Sequence, residues 1–237
     1  MSVNSVLREK GEIEAAYNRL KAKGLPIPDD ITKCWDESKA LDFITRRGSK
    51  DNSVLDVGTF KCRILELLYE KGYKKLYGCD LAPVEWRRRV YTYLFNFRLG
   101  DLVMSMLGMP PIRLFRQNLE NTGYRSGSFD FITSLSVIEH GVGLENYFKE
   151  MSRLLRNGGY LINSADYWPD KVDTEKADLY GLKWNIFDRK EIEGMIRLAG
   201  KFGFALTEPI DFTHKDPVIE LKEKRYAFIF FVLQKNG

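Results

Sequence analysis

Asp80 is the position whose residue type and spacing point most directly to chemistry. It follows a short apolar segment at residues 76–79 and lies 22 residues after Gly58. A carboxylate at the end of a buried strand can accept hydrogen bonds from both hydroxyls of a ribose, because it has two acceptor oxygens. The alternative is that Asp80 caps the next helix. The position therefore predicts a nucleoside site, with a helix cap as the alternative.

The two histidines are the usual candidates for acid–base catalysis. His140 follows an apolar segment at residues 129–133, where it could act as a base or contact a substrate. It could equally be held at a helix N-terminus by a local hydrogen bond, and this structural role is favoured. His214 is expected to be a solvated loop residue. Glu139 could orient a substrate or cap a helix.

A stretch from Asp166 to Trp184 interrupts the regular alternation of apolar and helical segments. We expect it to cover the site, with Asp166 as a base or a cofactor contact. Tyr167, Trp168 and Trp184 could stack on a flat or sugar-like acceptor, or could simply pack the cover against the domain. Trp35 is a similar candidate for a substrate contact, with anchoring of the N-terminal segment as the favoured alternative.

One basic stretch could suggest nucleic acid, because Arg87, Arg88 and Arg89 lie among aromatic residues. Aromatic residues on a helix more often serve packing or a dimer face. The net charge of +4 permits an acidic ligand without pointing to a polynucleotide. A nucleic-acid partner is therefore not expected, although it stays open, and the chain is expected to be a monomer or a homodimer.

Short apolar segments that alternate with helical patterns must position these candidates. The expected strands cover residues 54–57, 76–79, 112–115, 129–133, 160–162, 204–206 and 226–233. The expected helices cover residues 64–69, 84–107, 144–155 and 188–199. This alternation predicts a doubly wound α/β fold, with a seven-stranded, mostly parallel sheet and helices on both faces. The last two strands, joined by residues 211–225, are expected to form an antiparallel hairpin.

The chain of 237 residues has room for one substantial domain. Residues 1–49 are predicted to form a helical extension on the substrate side, and residues 50–237 the main domain. In the extension, Ile13, Tyr17 and Leu20 share a helix face, and Asp36 is expected to cap a second helix. Three cysteines without a CxxC pair predict neither disulfides nor a metal site, and favour the cytoplasm. No segment is apolar enough for a membrane span.

Several ordered motifs resemble the class I S-adenosylmethionine-dependent methyltransferases. The likeness is dense over residues 53–165 and looser over residues 188–234. The motifs that carry it are the strand-and-loop sequence VLDVG at 54–58, Asp80, the segments NLEN at 118–121 and GSFD at 127–130, SVIEH at 136–140, RLLRNGG at 153–159, and KFGF at 201–204. Each motif is short, but all of them occur in the order that the fold requires.

The resemblance implies an S-adenosylmethionine cofactor, with Gly58 and Thr59 under its methionine part and Asp80 on its ribose. It also implies that Asn118 and Leu119 face the adenine and that Ser134 lies near the sulfonium. Phe60 and Cys62 stand where the family favours glycines, so the loop must take another path or the cofactor must sit slightly further out. The full set of implied cofactor contacts is Asp56, Gly58, Thr59, Phe60, Asp80, Leu81, Asn118, Leu119 and Ser134.

The expected function is methyl transfer to a hydroxyl or carboxyl of a sugar-like or secondary metabolite. An enclosed pocket under the N-terminal helices and the stretch after strand five suits a small acceptor. The alternatives are methylation of RNA or protein, and a catalytically inactive binding module with the same fold. A nicotinamide dehydrogenase is a weaker alternative, because the loop after Gly58 and the long final hairpin do not favour it.

Overall fold

The computed structural model describes residues 2–59, 63–81, 112–175, 177–179 and 181–237. Predictions for Phe60, Cys62, the helix at 84–107 and the stretch Arg87–Arg89 lie outside these residues. The described helices are α1 (Lys10–Ala22), α2 (Cys34–Arg47), α3 (Arg63–Glu70), α4 (Leu144–Leu154) and α5 (Arg189–Gly200), with a 3-10 turn at Ile31–Lys33. The described strands are β1 (Ser5–Val6), β2 (Ser53–Val57), β3 (Lys75–Asp80), β4 (Ile112–Arg116), β5 (Phe129–Leu135), β6 (Leu155–Tyr167), β7 (Asp178–Leu179), β8 (Leu182–Lys183), β9 (Phe204–Leu206), β10 (Ile219–Leu221) and β11 (Lys224–Lys235).

The main sheet has the order β1-β11-β6-β5-β2-β3-β4, and β9 and β10 also pair with β11. The five strands from β2 to β6 are parallel to their neighbours among themselves, whereas β11 is antiparallel to all its partners. All five residues of β2 are buried, as expected for a central strand covered on both faces. The predicted α/β class is confirmed, with nine strands in the sheet rather than seven.

Strand β6 is longer than the sequence predicts. It runs from Leu155 to Tyr167, and not only over residues 160–162, because β11 pairs with it from Tyr160 to Tyr167. Asp166 and Tyr167 therefore lie inside the sheet, and the prediction that the covering stretch begins at Asp166 is wrong. Pairing with β11 gives hydrogen-bond partners to the backbone of polar residues that sequence patterns assign to a loop.

The sequence predicts a helical N-terminal region, but the structure also contains a strand there. Ser5 and Val6 form β1, which pairs with Phe230 and Ile229 of β11. The preceding Asn4 is fully buried; its amide donates to the Glu208 carbonyl at 2.6 Å and accepts from the Val232 N–H at 2.9 Å. Residues 1–49 therefore contribute a strand to the same sheet as the rest of the chain.

The start of α2 also differs from the prediction. The helix begins at Cys34, directly after the 3-10 turn, and Asp30 supplies the side-chain cap by accepting from the Thr32 N–H at 3.0 Å. Asp36 is therefore not a cap but a buried residue of the first turn of α2. At the start of α5, Asp188 and Glu191 form a capping box, with both hydrogen bonds at 2.8 Å.

The final hairpin is confirmed, since Leu206 of β9 pairs with Leu233 of β11. Its long connection contains β10, which pairs with the first residues of β11. Over the described residues, no helix is both long enough and apolar enough to cross a membrane.

Candidate active site

The strand order reverses at the neighbouring strands β2 and β5, and the loops that follow them touch. Gly58, directly after β2, has a φ of +70°. A Cβ atom at Gly58 would lie 2.5 Å from Cγ2 of Val137, which follows β5. Such a switch point leaves a crevice at the carboxyl ends of the strands, where open α/β sheets bind ligands. The close contact requires glycine at position 58.

Asp56 and Thr59 lie at the end of β2. Asp56 is 6% exposed, and its Oδ1 accepts a hydrogen bond from the Thr133 hydroxyl at 2.6 Å. Burial raises the pKa of Asp56 to about 7, although hydrogen bonds from Thr133 and Thr59 oppose this rise. The buried carboxyl can therefore change its charge when a ligand binds close to it.

Asp80, Leu81 and Asn118 lie at the carboxyl ends of β3 and β4, as the sequence predicts. The Asp80 carbonyl accepts from the Gln117 N–H at 3.0 Å, which ties the two strand ends together. Leu81 is 53% exposed, while Leu119 is buried. The Asn118 side chain accepts from the Glu120 N–H at 2.9 Å and so fixes a turn. An exposed apolar residue beside a carboxylate suits a ligand with a flat apolar part and hydroxyl groups.

Glu37, in the first turn of α2, is a site residue that the sequence reasoning missed. It is buried, and its Oε2 atom has no hydrogen-bond partner within the described parts of the chain. Burial raises its pKa to about 9; Asp36 and Asp56 contribute to the rise, whereas Arg63 opposes it. A buried, unpartnered carboxyl is costly unless a ligand satisfies it.

A second group of charged side chains lies at the ends of β5 and β6. It consists of three acids, Asp36, Glu139 and Asp166, and of Lys33, and we call it the acidic cluster. Asp36 accepts hydrogen bonds from the Ser164 hydroxyl at 2.6 Å and from the Glu37 N–H at 2.8 Å. Burial raises the pKa of Asp36, while Lys33 and these hydrogen bonds oppose the rise.

Asp166 and Glu139 form the centre of the acidic cluster. Asp166 accepts from the Trp184 indole N–H at 2.8 Å, and Trp184 itself is fully buried. Burial raises the pKa of Asp166 to about 6. Glu139 is 1% exposed, and neither of its carboxyl oxygens has a hydrogen-bond partner among the described residues. Burial and the neighbouring Asp166 hold the pKa of Glu139 well above its usual range.

Lys33 is the cation of the acidic cluster. Its Nζ donates to the Ser136 hydroxyl at 2.6 Å and lies 4.2 Å from the centroid of the Phe228 ring. Burial alone would lower the pKa of Lys33, but the carboxylates of Asp36, Asp166 and Glu139 outweigh it and raise that pKa. Lys33 therefore stays charged and partly compensates the three carboxyls.

The segment at residues 182–187 crosses the ends of β5 and β6. The Asn185 N–H donates to the Glu139 carbonyl at 2.9 Å, and the Phe187 N–H donates to the Asp166 carbonyl at 3.0 Å. Trp184, directly before Asn185, donates its indole N–H to the Asp166 side chain. The stretch after β6 therefore covers the site, as the sequence predicts, although it begins only after Tyr167.

The contacts of the other aromatic candidates are with residues outside the acidic cluster. The Trp35 indole donates to Glu12 at 3.2 Å and is buried, which favours its anchoring role. Tyr167 is fully buried, with its ring 6.0 Å from that of Phe212. Trp168 is half-buried and lies 5.5 Å from the ring of His214. The substrate contacts predicted for these three aromatic residues stay predictions.

Ser134 and His140 lie on either side of the strand end. Ser134 is fully buried inside β5, level with Asn163 of β6. His140 is half-buried, and its backbone N–H donates to the Val137 carbonyl at 3.0 Å. Burial and Lys33 lower the pKa of His140, so a neutral imidazole is favoured near pH 7. The roles predicted for Ser134 and His140 stay predictions.

The residues that sequence reasoning missed come from the N-terminal region. Lys33, Asp36 and Glu37 are about a hundred residues from β5 and stand in a charged helical pattern that usually marks a solvated face. No local pattern distinguishes such a face from one that is buried over a sheet edge. Only the packing of α2 over the strand ends brings these residues into the site.

Comparisons with known proteins agree with this arrangement. A family model described as "Methyltransferase domain" matches residues 55–163. A solved geranyl diphosphate C-methyltransferase from Streptomyces coelicolor A3(2) is 14% identical, with a TM-score of 0.61 over 99% of this chain and 91% of that one. S-adenosylmethionine-dependent methyltransferases from Methanosarcina mazei (16% identity, TM-score 0.56, 82% of this chain and 97% of that one) and Mesorhizobium loti (15%, 0.56, 84% and 98%) are also similar. No curated protein sequence matches the chain. At these identities, the structural likeness shows the fold.

Proposed function

We propose that this chain is a class I S-adenosylmethionine-dependent methyltransferase whose methyl acceptor is the hydroxyl of a small molecule. The observation that carries this proposal is the acidic cluster, which lies under a covering segment at the ends of β5 and β6. A covered site at this edge suits a small acceptor more than a polymer.

The residues at the ends of β2, β3 and β4 fit the cofactor. Glu37 has a buried carboxyl oxygen without a partner among the described residues, and the ammonium group of a methionine moiety would satisfy it. Asp80 would accept from the ribose hydroxyls, with Leu81 and Asn118 toward the adenine. Gly58, Thr59 and Asp56 would lie along the methionine part. When bound, the cofactor supplies an electrophilic methyl group on a sulfonium.

Charge favours a hydroxyl acceptor over the carboxyl that the sequence leaves open. An ionised acceptor carboxylate would lie beside the carboxyls of Asp36, Glu139 and Asp166, and Lys33 is the one cation of the acidic cluster among the described residues. A further negative charge buried there would be repelled by every cluster carboxyl that is ionised, and it would itself lose its hydration. The same argument disfavours an acceptor such as geranyl diphosphate, which is bound in the solved Streptomyces coelicolor neighbour. A neutral hydroxyl avoids this repulsion and can donate a hydrogen bond to a carboxylate.

The chain's own contribution is to orient the acceptor and to exclude water. The covering segment is bonded to the backbone of Glu139 and Asp166, so it shields both carboxyls. Exclusion of water strengthens the electrostatic interactions inside the site.

Methylation of RNA through the stretch Arg87–Arg89 remains an alternative that rests on the sequence alone. The buried free thiols of Cys34 and Cys79 agree with the cytoplasmic location proposed from the sequence.

Transfer of a tritiated methyl group from S-adenosylmethionine to a panel of probes tests the proposal. The panel contains catechol, methyl glucoside, benzylamine, benzoate and a short RNA oligomer. We expect label on catechol or methyl glucoside. Label only on benzylamine, benzoate or the RNA would overturn the hydroxyl assignment. Absence of label on every probe, with the cofactor bound, would count against a simple hydroxyl acceptor.

A further inference from the structure

We propose that Glu139 is the general base of the methyl transfer, which takes the proton of the acceptor hydroxyl while Asp166 and Lys33 position it. The inference deepens the proposed function and rests on it for the class of acceptor. It goes beyond the sequence analysis, where Glu139 is only a candidate for orienting a substrate or capping a helix.

The hydrogen bonding of Glu139 is the first observation that carries the proposal. Its side chain is 1% exposed, yet both carboxyl oxygens lack a hydrogen-bond partner among the described residues. Asp36 and Asp166, in contrast, accept bonds from Ser164 and Trp184. Buried carboxyls are normally hydrogen-bonded. Of the three acids, Glu139 is therefore the one whose two oxygens both have no donor among the described residues, so both can accept from a donor on a ligand.

The place of Glu139 in the fold is the second observation. It lies two residues after Val137, whose methyl groups pack against Gly58 at the switch point between β2 and β5. Its carbonyl is fixed by the Asn185 N–H at 2.9 Å. Glu139 is therefore held on a rigid segment where the ends of the central strands meet.

The charged and titratable groups around Glu139 determine when it can accept a proton. They are Lys33 and Asp36 from the 3-10 turn and α2, Tyr147 from α4, Asp166 from β6, Tyr226 from β11, and the adjacent His140. Burial and the charges of Asp166 and Asp36 favour protonated Glu139, whereas Lys33 favours its ionised form. A further positive charge close by, such as a sulfonium, would release the proton and leave a carboxylate ready to act as base.

The proposed step balances as follows. The O–H bond of the acceptor breaks, and its proton passes to a carboxylate oxygen of Glu139. The acceptor oxygen forms a bond to the methyl carbon while the carbon–sulfur bond breaks, and that electron pair stays on sulfur. The methyl ether leaves, and Glu139 returns its proton to solvent. No oxidant, reductant or metal is required.

Two other roles for these carboxyls, a metal site and a purely structural role, have less support than general-base catalysis. The three carboxyls do not form a metal site, since no group of three or more His, Cys, Asp or Glu side chains in the described parts of the chain could hold a metal ion. A purely structural carboxyl would be expected to bond to its surroundings, as Glu150 does with Thr122 and Arg153. Glu139 makes no comparable bond to the described residues.

The first test compares Glu139→Gln with wild type on whichever hydroxyl probe the wild type methylates. Glutamine keeps the size of the side chain but cannot take the proton. We expect kcat to fall about a hundredfold or more, the scale of losing a general base, with an unchanged affinity for S-adenosylhomocysteine, which brings no sulfonium. Glu145→Gln makes the same chemical change at an exposed position of α4 and should behave as wild type. Equal kcat for Glu139→Gln and wild type would overturn the base assignment and leave the hydroxyl assignment intact.

The second test needs no acceptor. Calorimetric titration at pH 7 in phosphate and in Tris, which differ in ionisation enthalpy, counts the protons released on binding. S-adenosylmethionine should release up to about one proton more than S-adenosylhomocysteine, whose sulfur is neutral, because only the former brings a sulfonium. In Glu139→Gln this difference should disappear, and in Glu145→Gln it should persist. An unchanged difference in Glu139→Gln would overturn the inference even if no probe is methylated.

Discussion

At the residue scale, Asp80 connects the sequence to the cofactor most directly. Asp80→Ala should weaken the binding of S-adenosylmethionine about ten- to a hundredfold, because charge-assisted hydrogen bonds to the ribose are lost. Calorimetric titration measures the change. Asp51→Ala removes an exposed carboxylate near the opposite end of β2 and serves as the matched control. Equal affinities of Asp80→Ala and wild type would remove Asp80 from the site.

At the same scale, the stability of the fold depends on a glycine at position 58. Gly58→Ala should lower the free energy of unfolding more than Gly127→Ala does, by about 1–3 kcal/mol, as read from urea unfolding. Both glycines have positive φ, +70° and +63°, but a Cβ atom meets Val137 only at position 58. Equal losses in the two variants would show that the contact between the loops after β2 and β5 is not tight.

At the element scale, α2 connects the N-terminal region to the site through its buried acids. Burial raises the pKa of Glu37 to about 9. Between pH 4.5 and pH 9, the folded protein therefore keeps the Glu37 proton, whereas the unfolded chain has lost it. The stability that this proton contributes is fully present below the unfolded pKa of 4.5 and is lost as pH rises toward 9. One such group contributes at most about 1.4 kcal/mol per pH unit.

Glu37→Gln should therefore lose less stability than wild type between pH 5 and pH 9. Urea unfolding at several pH values across this window measures the two slopes. Glu14→Gln, on the exposed side of α1, should keep the wild-type slope. A Glu37→Gln slope equal to that of wild type would mean that Glu37 is ionised in the folded protein across the window.

The elements show which part of the fold the sequence can predict. The short buried strands β2, β3, β4 and β5 are found close to their expected positions, because apolar segments between helical patterns are a strong local signal. The ends of β6 and the existence of β1 are missed. Both depend on pairing with β11, which is distant in the sequence and leaves no periodic pattern in their polar residues.

The candidate site likewise has one part that the sequence predicts and one part that it does not. The strand ends supply Gly58, Asp80 and Asn118, and the sequence locates them because the strands themselves are predictable. The acidic cluster needs Lys33 and Asp36 to come over the sheet edge, which only tertiary packing determines. Long-range contacts of this kind cannot be read from local charge patterns.

At the scale of the whole molecule, the proposed function divides the sheet edge between two ligands. The ends of β2, β3 and β4 would bind the cofactor, and the ends of β5 and β6 with the acidic cluster would bind the acceptor. The helix α2 contributes to both, since the neighbouring Glu37 and Asp36 reach toward Asp56 and Ser164 respectively. The two ligands would therefore meet at the contact between Gly58 and Val137.

Calorimetric titration of the complete chain with S-adenosylmethionine, and separately with S-adenosylhomocysteine, tests this arrangement most directly. If the strand ends and α2 form the cofactor site, both compounds should bind with micromolar affinity and one-to-one stoichiometry. Failure of both to bind at high micromolar concentration would contradict the account, because it would mean that the edge of the sheet is closed to the cofactor.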